Sequence, residues 1–180
     1  MNAQDFSRKG KAEVFLSAQY ATGDSTGILG GAATLDFGSF YGGGIGFGYN
    51  VSDHVNLNAD VNFGSVESTV HMAGSSVESD ALLINTDIAL DYNVLKSRLT
   101  PLLTVGFGVS SFSDEVSTPR VFLEYTQPTF SLGGGAGVRW DMTDHLFLKA
   151  VYRAAWHTGL DEFDDNLVNH TVTLMFGFKF

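Results

Sequence analysis

Apolar residues alternate with small or polar residues in eight segments of the chain, and this is its dominant pattern. A period of two places successive side chains on opposite faces of a β-strand. In the segment 55–63, for example, Val55, Leu57, Ala59, Val61 and Phe63 share one face. The pattern predicts eight strands, over 12–20, 41–49, 55–63, 82–92, 101–109, 130–140, 146–156 and 172–180.

The two faces of these predicted strands differ in a way that suits a narrow barrel. The apolar face carries no charge, whereas the opposite face is rich in glycine and holds the few strand charges. Small residues fit the crowded inside of a small barrel, while a soluble sheet would carry many more Lys and Glu. An enclosed charge is costly unless it is paired, so we expect a salt-bridged network in the interior. Its members are Lys11, Glu13, Asp60, Asp87, Asp91, Arg139, Lys149, Arg153 and Lys179.

The connections between the predicted strands alternate between long and short. The segments 21–37, 65–80, 111–128 and 158–169 are long and polar, and they contain twelve acids opposed only by Arg120. The segments 50–54, 93–98 and 141–145 are short turns. Outer-membrane barrels have long extracellular loops, short periplasmic turns and strands of about ten residues. We therefore expect the four long segments to be extracellular.

Aromatic residues cluster at the ends of the predicted strands. If the N-terminus is periplasmic, one set falls at the outer edge and a second set at the inner edge, as expected for the aromatic girdles of a membrane barrel. The outer set is Tyr20, Tyr41, Phe63, Phe130 and Trp156, and the inner set is Tyr49, Tyr92, Trp140 and Phe180. The sequence thus predicts an all-β fold, an eight-stranded antiparallel up-and-down transmembrane barrel over 11–180, with 1–10 as an N-terminal periplasmic tail.

Composition narrows the class of protein further. No run approaches the roughly 18 apolar residues of a transmembrane helix, and a net charge of −10 argues against nucleic-acid binding. Cysteine is absent, so no disulfide or thiolate metal site is available. The start, MNAQDFSRKG, has no apolar stretch that could be a signal peptide, so we expect a mature exported chain.

Four stretches resemble the small outer-membrane barrel families, the OmpA, OmpX and OmpW relatives: GFGYNVSDHVNLNADV (46–61), LTPLLTVGFGV (99–109), GAGVRWDMTDHLFLKAVYR (135–153) and TLMFGFKF (173–180). Segments 91–115 and 130–153 look most like the OmpW branch. The resemblance implies outer-membrane lipids and lipopolysaccharide as partners, a monomer, and recognition of the last strand, ending in Phe180, by the barrel-insertion machinery. It also implies passage of hydrophobic molecules, although the charged interior departs from the apolar cavity of that branch.

The sequence also contains a repeated turn motif, a glycine run and an acidic stretch that could each have a specific role. The segment 51–63 matches 142–154, and its Ser/Thr-Asp-His element is expected to close each turn by side-chain hydrogen bonds. The glycine run 42–48 precedes no helix, which argues against a phosphate loop. His157 and His170 flank an acidic stretch that is either a solvated loop or a weak calcium site, made of Asp161, Glu162, Asp164 and Asp165.

Three classes of function remain open at this point. A largely filled polar interior favours a structural or surface-interaction barrel, and a passive conduit for small molecules is the alternative. A lipid-modifying enzyme is the third class. The lipid A deacylase family has a membrane-facing His and Ser on a late strand, whereas this chain has Tyr152, Ala154 and Trp156 there. We expect no cofactor.

Overall fold

The computed structural model describes residues 6–22, 25–28, 33–72, 75–118, 121–158 and 167–180. Within these residues all regular structure is β-strand, and no helix is long and apolar enough to cross a membrane. The strands are β1 (Ala12–Thr22), β2 (Ser25–Ile28), β3 (Ala33–Asn50), β4 (Val55–Met72), β5 (Ser75–Asn93), β6 (Leu99–Thr118), β7 (Val121–Trp140), β8 (Leu146–Thr158) and β9 (Leu167–Lys179).

From β2 to β9 each strand pairs antiparallel with its neighbours in the sequence, and β1 pairs with β3 and with the last strand, β9. β1 lies between β3 and β9, with Val14 opposite both Phe47 and Phe178. This double pairing closes β1 and β3 to β9 into an eight-stranded barrel, while the short β2 only extends the hairpin with β3. The predicted eight-stranded antiparallel barrel is confirmed.

Alternate residues face the bore, as the period of two requires. In β8 the side chain of Leu148 is 36% exposed on the outer wall, whereas Phe147 and Lys149 on either side are fully buried in the bore. The bore is narrow enough to need glycine opposite its aromatic rings. A Cβ atom at Gly46 would come within 2.3 Å of the Phe15 ring, and one at Gly177 within 2.4 Å of the Phe147 ring.

The strands are longer than the sequence pattern suggested. The segment 65–80 was expected to be a loop, yet β4 and β5 stay paired up to Met72 opposite Ser75. Likewise, β6 and β7 stay paired through most of 111–128, up to Thr118 opposite Val121. Backbone pairing continues because polar, β-branched residues form ladders in water as readily as apolar ones do in lipid. Polarity marks where the apolar wall ends and does not mark where the strands end.

The two ends of the barrel are therefore a hairpin end, with the long strand pairs, and a turn end, with turns at 51–54, 94–98 and 141–145. The hydrogen bonds expected of the repeated motif are present. Ser52 Oγ accepts from the backbone N–H groups of His54 and Val55 at 3.2 and 3.0 Å. Thr143 Oγ1 accepts from those of His145 and Leu146 at 3.1 and 2.9 Å.

Candidate functional site: a charged plug at the turn end

The bore at the turn end is occupied by oppositely charged side chains in direct contact. Arg139 on β7 forms a two-point ion pair with Glu13 on β1, with Nη2 to Oε1 at 2.6 Å and Nη1 to Oε2 at 3.2 Å. Both side chains are completely buried. The amide of Asn50 donates to the same Glu13 Oε1 at 2.6 Å. A planar guanidinium matches a carboxylate in this way, and the geometry holds both groups in fixed positions.

Asp141, just after β7, receives three cations. Its carboxylate lies 2.9 Å from Arg139 Nη2, 2.5 Å from Lys179 Nζ and 2.7 Å from Arg8 Nε. Burial alone would raise the pKa of Asp141, but the hydrogen bonds and charges of these cations outweigh it and lower that pKa from 3.8 to about 2. Asp141 therefore stays ionised and joins strands β7 and β9 to the N-terminal segment.

Arg8 was not among the expected interior charges, because residues 1–10 were predicted to be a tail. Its side chain is completely buried, and its guanidinium donates to the backbone carbonyls of Asp53 at 3.2 Å and Leu95 at 3.4 Å, and to that of Ser97. Gly10, with φ of +79°, lets the chain turn back into β1 after Arg8. Residues 6–10 thus close the turn end by linking all three turns.

Asp53 holds this segment in place from the first turn. Its Oδ1 accepts from Ser7 Oγ at 2.6 Å and from the backbone N–H groups of Arg8 at 2.8 Å and Lys9 at 3.2 Å, while Lys96 lies 3.0 Å from Oδ2. Partial burial would raise the pKa of Asp53, but these donors outweigh it and lower that pKa far below its usual range.

Above this cluster, Lys149 contacts the next acid and a layer of aromatic rings. Its Nζ lies 3.0 Å from Asp91 and 3.9 Å from Glu13, and accepting amide oxygens of Asn56 and Asn58 lie 3.1 and 3.0 Å away. Phe147 packs edge-on against Phe15 at 6.4 Å between ring centroids. The Lys149 ammonium stands 5.5 Å from the Phe147 ring, within the range of a cation–π contact.

The remaining interior charges lie closer to the hairpin end. Arg153 Nη2 pairs with Asp87 Oδ1 at 2.9 Å, and Asp60 stands directly opposite Asp87 across β4 and β5. These side chains and Asp91 line a cavity of about 20 Å³, room for roughly one or two water molecules. Closer to the hairpin end, Ala21, Phe40 and Val66 on the adjacent strands β1, β3 and β4 form a buried apolar cluster.

One predicted interior charge lies elsewhere. Lys11 precedes β1, and its Nζ donates to the backbone carbonyl of Asp144 at 3.2 Å on the exposed side of the turn end. The period-two pattern does not extend to Lys11, since the strand begins at Ala12. The interior also holds three amides that were not predicted, those of Asn50, Asn56 and Asn58. Asn56 and Asn58 share the face of Asp60 and could have been predicted on that ground.

The residues predicted for the two girdles are all exposed on the outer wall. In the set toward the hairpin end, the Tyr20 and Tyr41 rings are 5.1 Å apart. This set includes Tyr41, which pairs with Ser65, so β4 and β5 continue well past it toward the hairpin tip. In the set at the turn end, Phe180 packs on Phe178 at 6.4 Å.

The acidic stretch proposed as a calcium site, Asp161, Glu162, Asp164 and Asp165, lies outside the described residues. The two flanking histidines face opposite sides of the wall: His157 lies on the bore side of β8, whereas His170 is exposed on the outer side of β9. Strand alternation therefore places these two side chains on opposite faces of the barrel wall. Within the described residues, no cluster of three or more His, Asp or Glu side chains could hold a metal ion.

A match to a protein-family model decides the class of this barrel. The model of the outer membrane protein beta-barrel domain matches residues 1–180. The chain belongs to this outer-membrane β-barrel family. It is therefore a bacterial outer-membrane protein, although the OmpW branch is not singled out by the comparisons.

Solved structures show the same fold at low sequence identity. OprG from Pseudomonas aeruginosa has a TM-score of 0.68 at 15% identity, covering 96% of this chain and 97% of that one. Neisserial surface protein A has a TM-score of 0.68 at 18% identity, covering 96% and 100%. Ail of Yersinia pestis, in complex with the heparin analogue sucrose octasulfate, has a TM-score of 0.56 at 15% identity, covering 96% and 99%. A search of curated proteins finds no significant match.

Proposed function

We propose that this protein is an outer-membrane barrel with a filled, non-conducting bore, and that it acts through its outer surface and its hairpins. The observation that carries the proposal is the fully buried plug of Arg8, Glu13, Arg139 and Asp141 across the turn end. An open pore would leave such charges in contact with water, whereas these are buried and paired with one another.

Charge balance supports a bore built to stay closed. The carboxylates of Glu13, Asp60, Asp87, Asp91 and Asp141 face an equal number of cations, namely Arg8, Arg139, Lys149, Arg153 and Lys179. Separating any pair to admit a solute would leave an uncompensated charge away from bulk water, which is costly. Toward the hairpin end, the bore side of β1, β3 and β4 carries the buried apolar cluster of Ala21, Phe40 and Val66.

We propose that the hairpin end faces the cell exterior and that the turn end faces the periplasm. The strands of 18 to 20 residues in β4 and β7 exceed the roughly ten needed to cross the hydrocarbon. Their surplus would carry the acidic segments away from the membrane. Because these segments hold twelve acids against one Arg, we propose divalent cations, or lipopolysaccharide bridged by them, as partners of this surface, in contrast to the polyanion bound by Ail.

The competing function is a narrow solute path, as the OmpW resemblance implied. The cavity beside Asp60 and Arg153 would be the middle of such a path, and it favours this function only if it connects to both ends. No cofactor and no catalytic residue enters either proposal, and both are open to the same measurement.

The test is single-channel recording of the refolded protein in planar bilayers. We expect no steady current for the wild type, and brief openings for Arg8→Ala, because that change removes the link among the three turns. Arg98→Ala is the matched control, since Arg98 is also a turn-end arginine but pairs with Asp144 on the surface. Steady wild-type conductance of porin size would overturn the filled bore and support the solute path. Equal openings in both variants would show that the buried contacts of Arg8 do not keep the bore closed.

A further inference from the structure

On β1, β8 and β9, the outer wall carries a group of polar side chains near the hairpin end. His170 on β9 lies between Ala154 of β8 and Thr22 of β1. Tyr152 and Tyr20 stand on its two sides, both opposite Val172. We call Tyr20, Thr22, Tyr152 and His170 the His170 patch. All four side chains are exposed on the outer wall.

The centre of this patch is a tyrosine–histidine pair. Tyr152 Oη lies 2.7 Å from His170 Nδ1, and the two rings stack at 5.9 Å between centroids with an interplanar angle of 12°. When the hydroxyl donates to Nδ1, the ring proton is on Nε2, which leaves an N–H donor on the solvent side of the pair. When the imidazole is protonated, Nε2 is again a donor and the patch is cationic.

Two other outer histidines are held differently and show what is particular about His170. His54 Nδ1 lies 2.7 Å from the backbone carbonyl of Asn93, and His145 Nδ1 lies 3.2 Å from that of Lys179. A carbonyl can only accept, so in both cases Nδ1 is the donor and the neutral ring leaves Nε2 as an acceptor. His170, in contrast, has a hydroxyl partner that can itself donate.

The surroundings of the patch match an anionic ligand. Along β1, β8 and β9, the outward positions within the described residues hold no carboxylate, and Ala154 beside His170 leaves space on the wall. Tyr20 supplies a second hydroxyl, 3.2 Å from Ser39 Oγ. Hydrogen-bond donors with no carboxylate beside them on the described outward positions of these three strands are suited to the oxygens of a phosphate.

We propose that the His170 patch binds the phosphate of a membrane lipid headgroup. A lipid is the occupant because this wall, with Leu174, Phe176 and Phe178 below the patch, is the surface that an outer-membrane barrel presents to lipid. Aromatic side chains with polar tips lie at the level of lipid headgroups. The proposal rests on the membrane location of the family and does not depend on whether the bore conducts.

The test uses barrels with ¹⁵N-labelled histidine, refolded in octyl glucoside, a detergent without phosphate. Dihexanoyl phosphatidic acid should shift the His170 Nε2 resonance in a saturable way. Dihexanoylglycerol, the same lipid without phosphate, should not, and inorganic phosphate should bind at least about tenfold more weakly because it lacks the acyl chains. If inorganic phosphate binds equally well, the site recognises a free anion and not a lipid. If dihexanoylglycerol binds equally well, the site makes only apolar contacts with the lipid. Either result overturns the proposal.

Variants that keep the rings test the donor and the hydroxyl that orients it. His170→Phe should abolish saturable binding of dihexanoyl phosphatidic acid, measured on the resonances of Tyr152 and Thr22. Tyr152→Phe should weaken binding by about tenfold, because the hydroxyl that keeps the ring proton on Nε2 is lost. His145→Phe is the matched control, because His145 also stacks on an outer aromatic ring, that of Phe178. Undiminished affinity in His170→Phe, or an equal loss in His145→Phe, would overturn the assignment.

Discussion

At the scale of single residues, the same turn carries two aspartates in opposite surroundings. Asp141 is completely buried and meets three cations, whereas the side chain of Asp144 is 59% exposed and pairs with Arg98 at 2.7 Å. Surface ion pairs contribute about 0–1 kcal/mol, because water and salt screen them. Removing one partner from a buried cluster costs more, since the charges left behind stay away from water.

Asp141→Asn should therefore lower the free energy of unfolding by about 3–5 kcal/mol, and Asp144→Asn by less than about 1 kcal/mol. Urea titration of the barrel in lipid vesicles, followed by Trp fluorescence, measures both. Two variants of equal stability would show that the cations around Asp141 are stabilised without it.

The difference in stability between the wild type and Asp141→Asn should depend on pH, and the pKa of Asp141 fixes the direction. The pKa of Asp141 is lowered in the folded state, so its contribution is complete above the unfolded value of 3.8 and is lost as the pH falls through about 2. The stability difference between wild type and Asp141→Asn should thus be constant above pH 4 and shrink between about pH 4 and pH 2. A difference that grows in this interval would mean that the carboxylate is not stabilised in its ionised form.

At the scale of strands, the apolar outer wall and the longer backbone ladder follow different rules. In β4 the outward residues change from Phe63 to Ser65 near the girdle, yet the pairing with β5 continues to Met72. The sequence could predict the change in polarity, because it reflects the solvent that each face meets. It could not predict the strand end, because backbone hydrogen bonds form in either solvent.

This difference predicts a depth-dependent cost for a charge on the wall. Val105→Arg should destabilise the folded barrel in bilayers by about 2–4 kcal/mol, the cost of a lipid-facing cation near the midplane, and Ser65→Arg by about 0–1 kcal/mol. Val105 is 52% exposed on the outer wall and central in the apolar part of β6. Urea titration in vesicles gives both values. If Val105→Arg is as stable as the wild type, this face of β6 does not meet lipid.

At the scale of the whole molecule, the sequence predicted the barrel and most of the interior charges, but not Arg8 and Asp141 of the plug. Strand alternation is a local property, so Glu13, Asp91, Arg139, Lys149 and Lys179 could be placed in the bore without a structure. Arg8 belongs to a short segment with no period, and its burial depends on turns that lie 45 to 133 residues away along the chain. Contacts between residues so far apart in the sequence cannot be predicted from a local pattern.

The closing of the whole barrel gives a last prediction, on its assembly in the membrane. The backbones of Phe180 and Ala12 exchange hydrogen bonds of 3.0 Å in both directions, so Phe180→Ala leaves the closure between β1 and the end of the chain intact. Its ring, 61% exposed, is free for recognition by the barrel-insertion machinery that we propose as a partner. We expect Phe180→Ala to fold normally in detergent but to insert several-fold more slowly with reconstituted machinery. Phe178→Ala, on the same face and 45% exposed, is the control. If both variants insert equally slowly, the loss of apolar area explains the effect, and Phe180 has no specific role in assembly.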